Sequence, residues 1–349
     1  MTPSAALGTG APVEVLPGVP LVCPRCRAAH AGHVSVHALA LASGALDGDG
    51  VLACTNTACG RRYPVLAGVP IVFANPAAWT KTEAAVALAR RAPVETLDAL
   101  FATLADDEPS QRSRELVSTY TASHWSAGAD PLSLLPPGWW EAAGRIPRVV
   151  ELGCGAGRVA LEHARRGAHA LGVDVSAPLL FTPSELARTG TTAFDRRVAG
   201  RRYTREAIAV LALKTDRARF LCADALDPPL PPACAEAVVA LNVLDNVPVP
   251  ANLLAQADAL LVPGGLLALS SPYAWRSGIV EEGERLEGGV LPADPADALV
   301  AVLKGALGER LPLDYEILHD ARRVPWRLER DARSAMTFEV HVVLARKRR

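Results

Sequence analysis

From residue 145 to the C-terminus, short apolar runs alternate with segments whose apolar residues recur at helical spacing. The apolar runs predict strands, and they are RVVEL, HALGVDVS, RFLCADAL, EAVVALNVL, LLALSS and FEVHVVLARK. Three segments between them predict helices, namely RVALEHARR, ANLLAQADALL and DALVAVLKGAL. Strands that alternate with helices build βαβ units with a mostly parallel sheet. The pattern therefore predicts a doubly wound, Rossmann-like α/β domain over residues 145–349.

The first 144 residues follow a different pattern. Residues 1–20 are small and contain Pro and Gly, which predicts a disordered tail. Short β-like runs and four cysteines mark a small domain over residues 21–74. Residues 75–144 predict a helical linker or lid, with a helix from about 80 to 120 and a loop over 106–113. Three residues of this segment could cover a ligand of the main domain or form a buried contact between helix and sheet: Tyr120, His124 and Trp125.

Composition narrows the function classes. The chain has 349 residues, half of them hydrophobic, and a net charge of −1. A near-neutral charge does not favour a nucleic-acid or membrane-surface binder. No apolar run approaches the ~20 residues that span a bilayer, and the N-terminus lacks the pattern of a secretory signal. We therefore expect a cytoplasmic protein without membrane contact, whose cysteines stay reduced.

A glycine-rich turn follows the first strand of the main domain. Gly153, Gly155 and Gly157 lie where the strand gives way to a helix, and Asp174 ends the next strand. Glycine permits positive φ there and lets a ligand approach the backbone, and the Cys154 backbone between the glycines shares that position. A carboxylate at Asp174 can accept hydrogen bonds from both ribose hydroxyls of a nucleoside.

The charges around this turn distinguish between two kinds of cofactor. A dinucleotide fingerprint requires a small residue at position 158, and this chain has Arg158 there, with Glu151 before the first glycine. A carboxylate beside the turn disfavours a pyrophosphate and favours a cationic ligand such as S-adenosylmethionine. Asp224 ends the following strand, where it can accept from the adenine amino group, and the Ala225 N–H can serve the ring nitrogens.

The order ELGCGAG, GVDVS, CADAL, VVALNVLD, LLVPGGLLAL resembles the class I S-adenosylmethionine-dependent methyltransferases throughout residues 145–349. The resemblance implies a seven-stranded sheet whose last strand runs antiparallel. It also implies that Glu151, the three glycines, Asp174 and Asp224 bind the cofactor, with the Asn242 backbone near its methionine end. The alternative is a non-catalytic binding or scaffold protein that keeps this fold.

The N-terminal cysteines are spaced as two pairs, Cys23 with Cys26 and Cys54 with Cys59. Two close pairs can close a tetrahedral thiolate shell around a structural zinc ion. The stretch CGRRYPVLAGVPIVF resembles the zinc-ribbon proteins that activate RNA and protein methyltransferases, which implies a zinc-ribbon domain over residues 21–74. The alternative is a set of cysteines that holds no metal.

The methyl acceptor is expected beyond the carboxyl ends of the fourth and fifth strands. Asp245 could accept a proton there, Tyr273 could orient the acceptor, and Trp275 could form a wall. The alternatives are that Asp245 caps the next helix and that the two aromatic residues only pack. The run LNVLDNVPVPANLLAQADALLVPGGLLALSSPYAW resembles the mercaptohistidine N-methyltransferases and, more distantly, the carnosine N-methyltransferases. That resemblance implies a small polar acceptor with an imidazole-type nitrogen.

The arginine-rich segment 195–206 leaves other acceptors open. Its simplest interpretation is a solvated helix or loop, but it could also clamp a substrate carboxylate or bind RNA phosphates. Methylation of RNA or protein, with the zinc ribbon as a fused activator, is therefore the second enzymatic hypothesis. Nucleic acid stays the less favoured partner because the chain is almost neutral.

Overall fold

The computed structural model describes residues 10–29, 37–90, 92–126, 130–143 and 146–348. Its N-terminal module is built from a two-stranded and a four-stranded antiparallel sheet, with strand orders β1-β2 and β3-β4-β5-β6. The elements are β1 Glu14–Leu16, β2 Val19–Pro20, α1 Pro24–Ala29, β3 Leu39–Gly44, β4 Gly50–Cys54, β5 Arg62–Leu66 and β6 Val69–Pro70.

The prediction of a disordered tail over residues 1–20 is wrong at its end, where β1 and β2 form. Residues 1–9 lie outside the described residues, but β1 and β2 form a hairpin with Gly18 at φ 72° in its turn. Val13 and Val15 are buried, and the Val13 N–H donates to the Leu39 carbonyl at 2.8 Å. The alternating valines of VEV direct one side of the chain into the module, which outweighs the Pro and Gly content.

Helices connect the module to the main domain: α2 Ala77–Thr82, α3 Ala84–Leu88, α4 Val94–Phe101, α5 Pro109–Trp125 and α6 Trp139–Ala143. The single helix predicted from about 80 to 120 is thus several helices. Leu97 and Phe101 are buried along α4. The predicted loop over 106–113 is wrong at its end, because α5 begins at Pro109, and proline is tolerated in the first turn of a helix.

The main domain has the predicted alternation of strands and helices. Its elements are β7 Arg148–Leu152, α7 Arg158–Arg165, β8 His169–Asp174, α8 Ala177–Thr189, β9 Thr191–Ala199, β10 Arg202–Ala209, β11 Ala218–Cys222, β12 Ala235–Leu241, α9 Pro250–Leu260, β13 Leu261–Ser271, α10 Pro295–Leu303, β14 Tyr315–Asp331 and β15 Ser334–Lys347. Seven strands form one sheet in the order β11-β8-β7-β12-β13-β15-β14. The first five run parallel and β15 pairs antiparallel with β13, so the predicted seven-stranded Rossmann-like sheet is confirmed.

The strand order fixes where a ligand can bind. β7 lies between β8 and β12, so the chain leaves β7 toward one side of the sheet and later returns to its other side. In open α/β sheets, ligands bind at the carboxyl ends of strands beside such a switch point. The loops after β7, β8, β11 and β12 therefore surround the expected pocket.

The arginine-rich segment 195–206 differs from the predicted helix or loop, because it belongs to the β9-β10 hairpin. Four of its arginines form ion pairs, which are Arg196–Glu329, Arg197–Glu115, Arg201–Asp106 and Arg205–Asp195. Since carboxylates of this chain already neutralise these guanidinium groups, the hairpin gives no support to a clamp for substrate carboxylates or RNA phosphates. Across the described part of the chain, no helix is both long enough and apolar enough to cross a membrane.

Candidate active site

The glycine-rich turn after β7 is shaped by short backbone contacts. The Gly153 N–H donates to the Val173 carbonyl at 2.8 Å, which folds the turn against the end of β8. Gly153 and Gly155 have φ angles of 68° and 53°. A Cβ on Gly153 would lie 2.3 Å from a methyl carbon of Val243. Glycine is therefore required at this turn by conformation and by space.

A cavity of about 280 Å³ opens above the turn, at the carboxyl ends of the parallel strands. Seven of the nine residues predicted to bind the cofactor line it: Glu151, Gly153, Gly155, Asp174, Asp224, Ala225 and Asn242. The sequence motifs thus converge on one pocket.

Cys154 and Gly157 are the two predicted cofactor residues that do not line this cavity. The Cys154 side chain is buried behind the turn, where a Cβ on Gly172 would lie 2.7 Å from its sulfur. Gly157 begins α7 with φ 70°, and a Cβ there would come within 2.5 Å of Pro183. Both residues thus serve the packing of the turn, and their contact with a cofactor stays a prediction.

Glu151 is buried at the bottom of the cavity, with 3% of its surface exposed. Its carboxylate accepts a hydrogen bond from the Ala160 N–H at 2.8 Å. Burial raises the pKa of Glu151 to about 8, against a usual value of 4.5. A buried carboxyl group with this pKa is poised to pair with a cation that enters the cavity.

Asp174 ends β8, the strand next to β7, and also lines the cavity. Its carboxylate accepts from the Gly155 and Ser176 N–H groups, each at 2.9 Å. Burial raises the pKa of Asp174, and these N–H groups act against the rise. They also hold both carboxylate oxygens of Asp174 in place in the wall of the cavity.

Glu83 is a further carboxylate of the cavity, which the sequence analysis missed. It lies between α2 and α3 and accepts from the Ser113 and Ser176 hydroxyls, each at 3.0 Å. Burial raises the pKa of Glu83. The packing of the linker helices over the sheet brings Glu83 to the cavity. Because no local motif marks this segment, the sequence gives no signal of that position.

Two of the three predicted lid residues reach the cavity. Tyr120 and His124 line it from α5, and a Cβ on Gly155 would lie 3.2 Å from the His124 ring. Burial lowers the pKa of His124 to about 3, which leaves the ring neutral at physiological pH. Trp125 points elsewhere, and its indole N–H donates to the Ala156 carbonyl at 3.0 Å.

A smaller cavity of about 40 Å³ adjoins the first near Asn242 and contains Asp245. Asp245 is 1% exposed, and its carboxylate accepts from the Ser271 hydroxyl at 3.2 Å and from the Ala274 N–H at 3.1 Å. Burial raises the pKa of Asp245. Both cavities are lined by Tyr120, Asn242, Asn246 and Trp326. Asp245 is thus the predicted catalytic residue that faces an open space beside the cofactor cavity.

Tyr273 and Trp275 lie behind this space and line neither cavity. The Tyr273 hydroxyl is hydrogen-bonded to Nδ1 of His341 at 2.7 Å, and Nε2 of that ring lies 2.9 Å from the Asp320 carboxylate. The Trp275 indole N–H donates to Glu287 at 2.9 Å. The positive φ of Tyr273, 53°, turns its side chain toward β15, and the sequence carries no signal of that turn.

The four N-terminal cysteines meet in one cluster. The sulfurs of Cys23, Cys26, Cys54 and Cys59 all lie within 4.8 Å of one another. A tetrahedral zinc site with bonds of about 2.3 Å places its sulfurs roughly 3.8 Å apart. The sulfurs of Cys26 and Cys54 are 3.6 Å apart, and those of Cys23 and Cys59 are 3.9 Å apart.

Polar groups around the cluster suit thiolates. The Asn56 N–H donates to the Cys54 sulfur at 3.4 Å, and its side-chain amide donates to Cys26 at 3.6 Å. The Tyr63 hydroxyl lies 3.3 Å from the Cys23 sulfur. Donors of this kind orient metal ligands and disperse their charge. The cluster therefore fits a closed zinc site without an open position for chemistry.

Residues 150–269, which extend from β7 into β13, match the family model described as methyltransferase domain. A ubiquinone biosynthesis O-methyltransferase of Alkalilimnicola ehrlichii is 32% identical over 124 residues, which are 36% of this chain and 41% of that protein. The protein of the same name from Burkholderia thailandensis is 28% identical over 176 residues, which are 48% of this chain and 64% of that protein. The chain thus spans less than two thirds of the length of either relative.

Among solved structures, the 1,6-didemethyltoxoflavin-N1-methyltransferase of Burkholderia thailandensis is similar at 17% sequence identity. The similarity covers 68% of this chain and 87% of that one, with a TM-score of 0.39. The family match supports the predicted methyltransferase domain over residues 150–269, a range that contains the glycine turn, Asp174, Asp224 and Asp245.

Proposed function

Since residues 150–269 match the family model of a methyltransferase domain, we propose that this protein transfers a methyl group from S-adenosylmethionine to a small polar acceptor with an imidazole-type nitrogen. The observation that carries the proposal is the cavity in which Glu151, Asp174 and Asp224 meet beside the buried Asp245. Three carboxylates suit a positively charged adenosyl ligand, and the fourth faces the space where an acceptor would lie.

The residues of the cavity fit this cofactor. Glu151 would pair with the ammonium group, Asp174 would accept from the ribose hydroxyls, and Asp224 would accept from the adenine amino group. When bound, S-adenosylmethionine supplies a methyl group activated by its sulfonium. The Asn242 backbone, with φ 56°, turns into the cavity between the cofactor side and the acceptor side, and its side chain is held by the Ser270 hydroxyl at 2.9 Å.

Asp245 is the proposed general base. Its raised pKa lets it take a proton from an acceptor nitrogen more readily than an exposed aspartate would. The Ser271 and Ala274 contacts hold the carboxylate in place, so it can also orient an imidazole N–H. Tyr273 is a positioning residue in this proposal, because the Ser271 hydroxyl contacts both its N–H, at 3.0 Å, and Asp245.

Aromatic side chains favour a flat acceptor. The rings of Trp326 and Phe338 lie 5.6 Å apart and line the smaller cavity together with Tyr120. Such walls suit a small heteroaromatic ring. They also suit a phenol, and both relatives are named as O-methyltransferases, so oxygen methylation of a small aromatic compound is the second candidate.

The proposal is tested by incubating the full chain with methyl-labelled S-adenosylmethionine and pools of imidazoles and thiol-histidines, phenols, transfer RNA and peptides. We expect label in the imidazole pool. Label in phenols alone would replace the nitrogen acceptor with an oxygen acceptor. Label in RNA or peptides alone would overturn the small-molecule proposal, and wild-type protein without affinity for the cofactor would overturn the enzymatic one.

In the same assay, we expect Asp245→Asn to lower kcat by about 100-fold, the contribution typical of a general base. The amide keeps an oxygen for the Ala274 N–H, so the fold and the affinity for S-adenosylhomocysteine should be kept. Asp216→Asn, on an exposed loop, is the matched control. If Asp245→Asn had the same kcat as the control, Asp245 would not be the general base.

The raised pKa of Glu151 predicts pH-dependent binding of S-adenosylhomocysteine, whose amino group lies beside a carboxylate and stays cationic well above neutral pH. The cation prefers the ionised carboxylate, which becomes more abundant as the pH approaches about 8. We expect the affinity to rise by about tenfold between pH 6 and 7 and to fall again above the amino pKa. Titration calorimetry at a series of pH values measures this profile.

Glu151→Gln should lose the rise on the acidic side and bind more weakly at pH 8, since the amide cannot ionise. Glu309→Gln, an exposed substitution of the same kind, should keep the wild-type profile. A flat profile in the wild type, or the same profile in Glu151→Gln, would show that Glu151 does not meet the ammonium group.

A further inference from the structure

Arg27 lies next to a cysteine of the cluster and reaches into the main domain. It belongs to α1, one residue after Cys26, and its guanidinium donates to the carbonyls of Pro228 at 2.7 Å and Leu230 at 3.3 Å. It also donates to the Asp227 carbonyl at 3.1 Å and forms an ion pair with the Asp227 carboxylate. One side chain thus binds three backbone carbonyls of a loop some 200 residues away in sequence.

The loop that Arg27 holds is the one that follows β11 and carries Asp224. The Asp227 N–H donates to the Asp224 carbonyl at 3.1 Å, and the Leu226 N–H donates to its carboxylate at 2.8 Å. Ala225, also on this loop, lines the cofactor cavity. A shift of the Arg27 anchor would therefore move Asp224 and Ala225, which line the cavity.

The cysteine cluster in turn fixes Arg27. The backbone N–H of Arg27 donates to the Cys23 carbonyl at 3.1 Å. The sulfurs of Cys23 and Cys26, on either side of the turn between them, contact those of Cys59 and Cys54. A helix of six residues has little stability of its own, so the position of α1 depends on these contacts.

A separate contact keeps the module docked when the cluster changes. The Val72 N–H donates to the Cys222 carbonyl at 2.8 Å, which places the end of β6 beside β11. This backbone contact involves none of the four cysteines. Loss of the metal would therefore release α1 and Arg27 before it separates the module from the sheet.

We propose that the metal content of the four-cysteine cluster sets the affinity of the cofactor cavity, and that Arg27 is the positioning residue that couples the two sites. The inference rests on the proposed function, because it requires that the cavity bind S-adenosylmethionine. Zinc in the cluster holds α1, α1 presents Arg27, and Arg27 holds the 224–230 loop in the conformation that accepts adenine. Because coupling between two binding sites is reciprocal, the cofactor also strengthens retention of the metal.

The first test compares Arg27→Ala with Arg25→Ala, an exposed arginine of the same helix, in the zinc-loaded full chain. Titration calorimetry with S-adenosylhomocysteine should show a loss of about tenfold in affinity for Arg27→Ala and none for Arg25→Ala. Arg27→Lys, which keeps the charge, should lie between them. Zinc content should stay at one ion per chain in all three variants.

Two further readouts separate positioning from general loss of stability. The preference for S-adenosylhomocysteine over its inosine analogue should shrink in Arg27→Ala, because Asp224 reads the amino group that distinguishes these ligands. In the wild type, saturating S-adenosylhomocysteine should slow the extraction of zinc by a chelator, and in Arg27→Ala it should not.

The outcomes distinguish this inference from the proposed function. Wild-type protein that binds no S-adenosylhomocysteine would overturn the proposed function. Wild-type protein that binds it, with equal affinity in Arg27→Ala and Arg25→Ala, would overturn only the coupling. Wild-type protein that binds it with the same affinity before and after chelation would overturn the role of the metal.

Discussion

Replacing Asp174 with alanine is expected to reduce the affinity for S-adenosylhomocysteine by about 100-fold or more. The Asp174 carboxylate is the proposed acceptor for both ribose hydroxyls, and each hydrogen bond to a charged group contributes about 1.5 to 3 kcal/mol. Two such bonds are lost together in this variant. Titration calorimetry on the purified variant measures the loss directly.

The variant must be shown to keep its fold, since Asp174 also accepts from the N–H groups of Gly155 and Ser176. Circular dichroism and the melting temperature of the ligand-free protein provide that check. Asp216→Ala removes an exposed carboxylate near the start of β11 and serves as the control. A folded Asp174→Ala protein with the affinity of the wild type would contradict the role of Asp174 in cofactor binding.

The central sheet was predictable because its strands carry local signals. RVVEL and HALGVD are apolar runs that end in a glycine turn and a carboxylate, and they form β7 and β8 as expected. The β9-β10 hairpin lacked such a signal. Arg196 within it is buried against Glu329, 133 residues later, and only the folded chain shows that a charged residue points inward there. Partners distant in sequence therefore account for the missed hairpin.

The candidate site was likewise predictable only where local sequence signals determine it. Residues at strand ends were predictable, because the carboxyl ends of parallel strands meet at one edge of the sheet, which brings Glu151, Asp174 and Asp224 together. Glu83 and Trp326 were missed, since the packing of a linker helix and of β14 brings them to the cavity. Tyr273 was placed on the correct loop, but its positive φ and its bond to His341 turn the hydroxyl away from the acceptor space.

Replacing Cys54 with serine is expected to release the proposed zinc ion and to lower the free energy of unfolding by at least about 3 kcal/mol, as loss of a structural metal does. The effect should extend beyond the module, because one apolar core continues from Val15 and Leu21 through Leu221 to Leu230. The melting temperature should therefore fall by about 4 °C or more in one cooperative transition. Differential scanning calorimetry and the zinc content per chain measure the two effects.

Cys234→Ser is the matched control, since Cys234 is buried in the same core and lies outside the cluster. It changes a buried thiol to a hydroxyl without removing a metal ligand, so it should keep its zinc and unfold nearer to the wild-type temperature. Chelation of the wild type should reproduce the lower stability of Cys54→Ser and should not further destabilise that variant. Equal melting temperatures for the two serine variants, or wild-type protein purified without zinc and insensitive to chelators, would show that the four thiols hold no structural metal and stabilise the module only by packing.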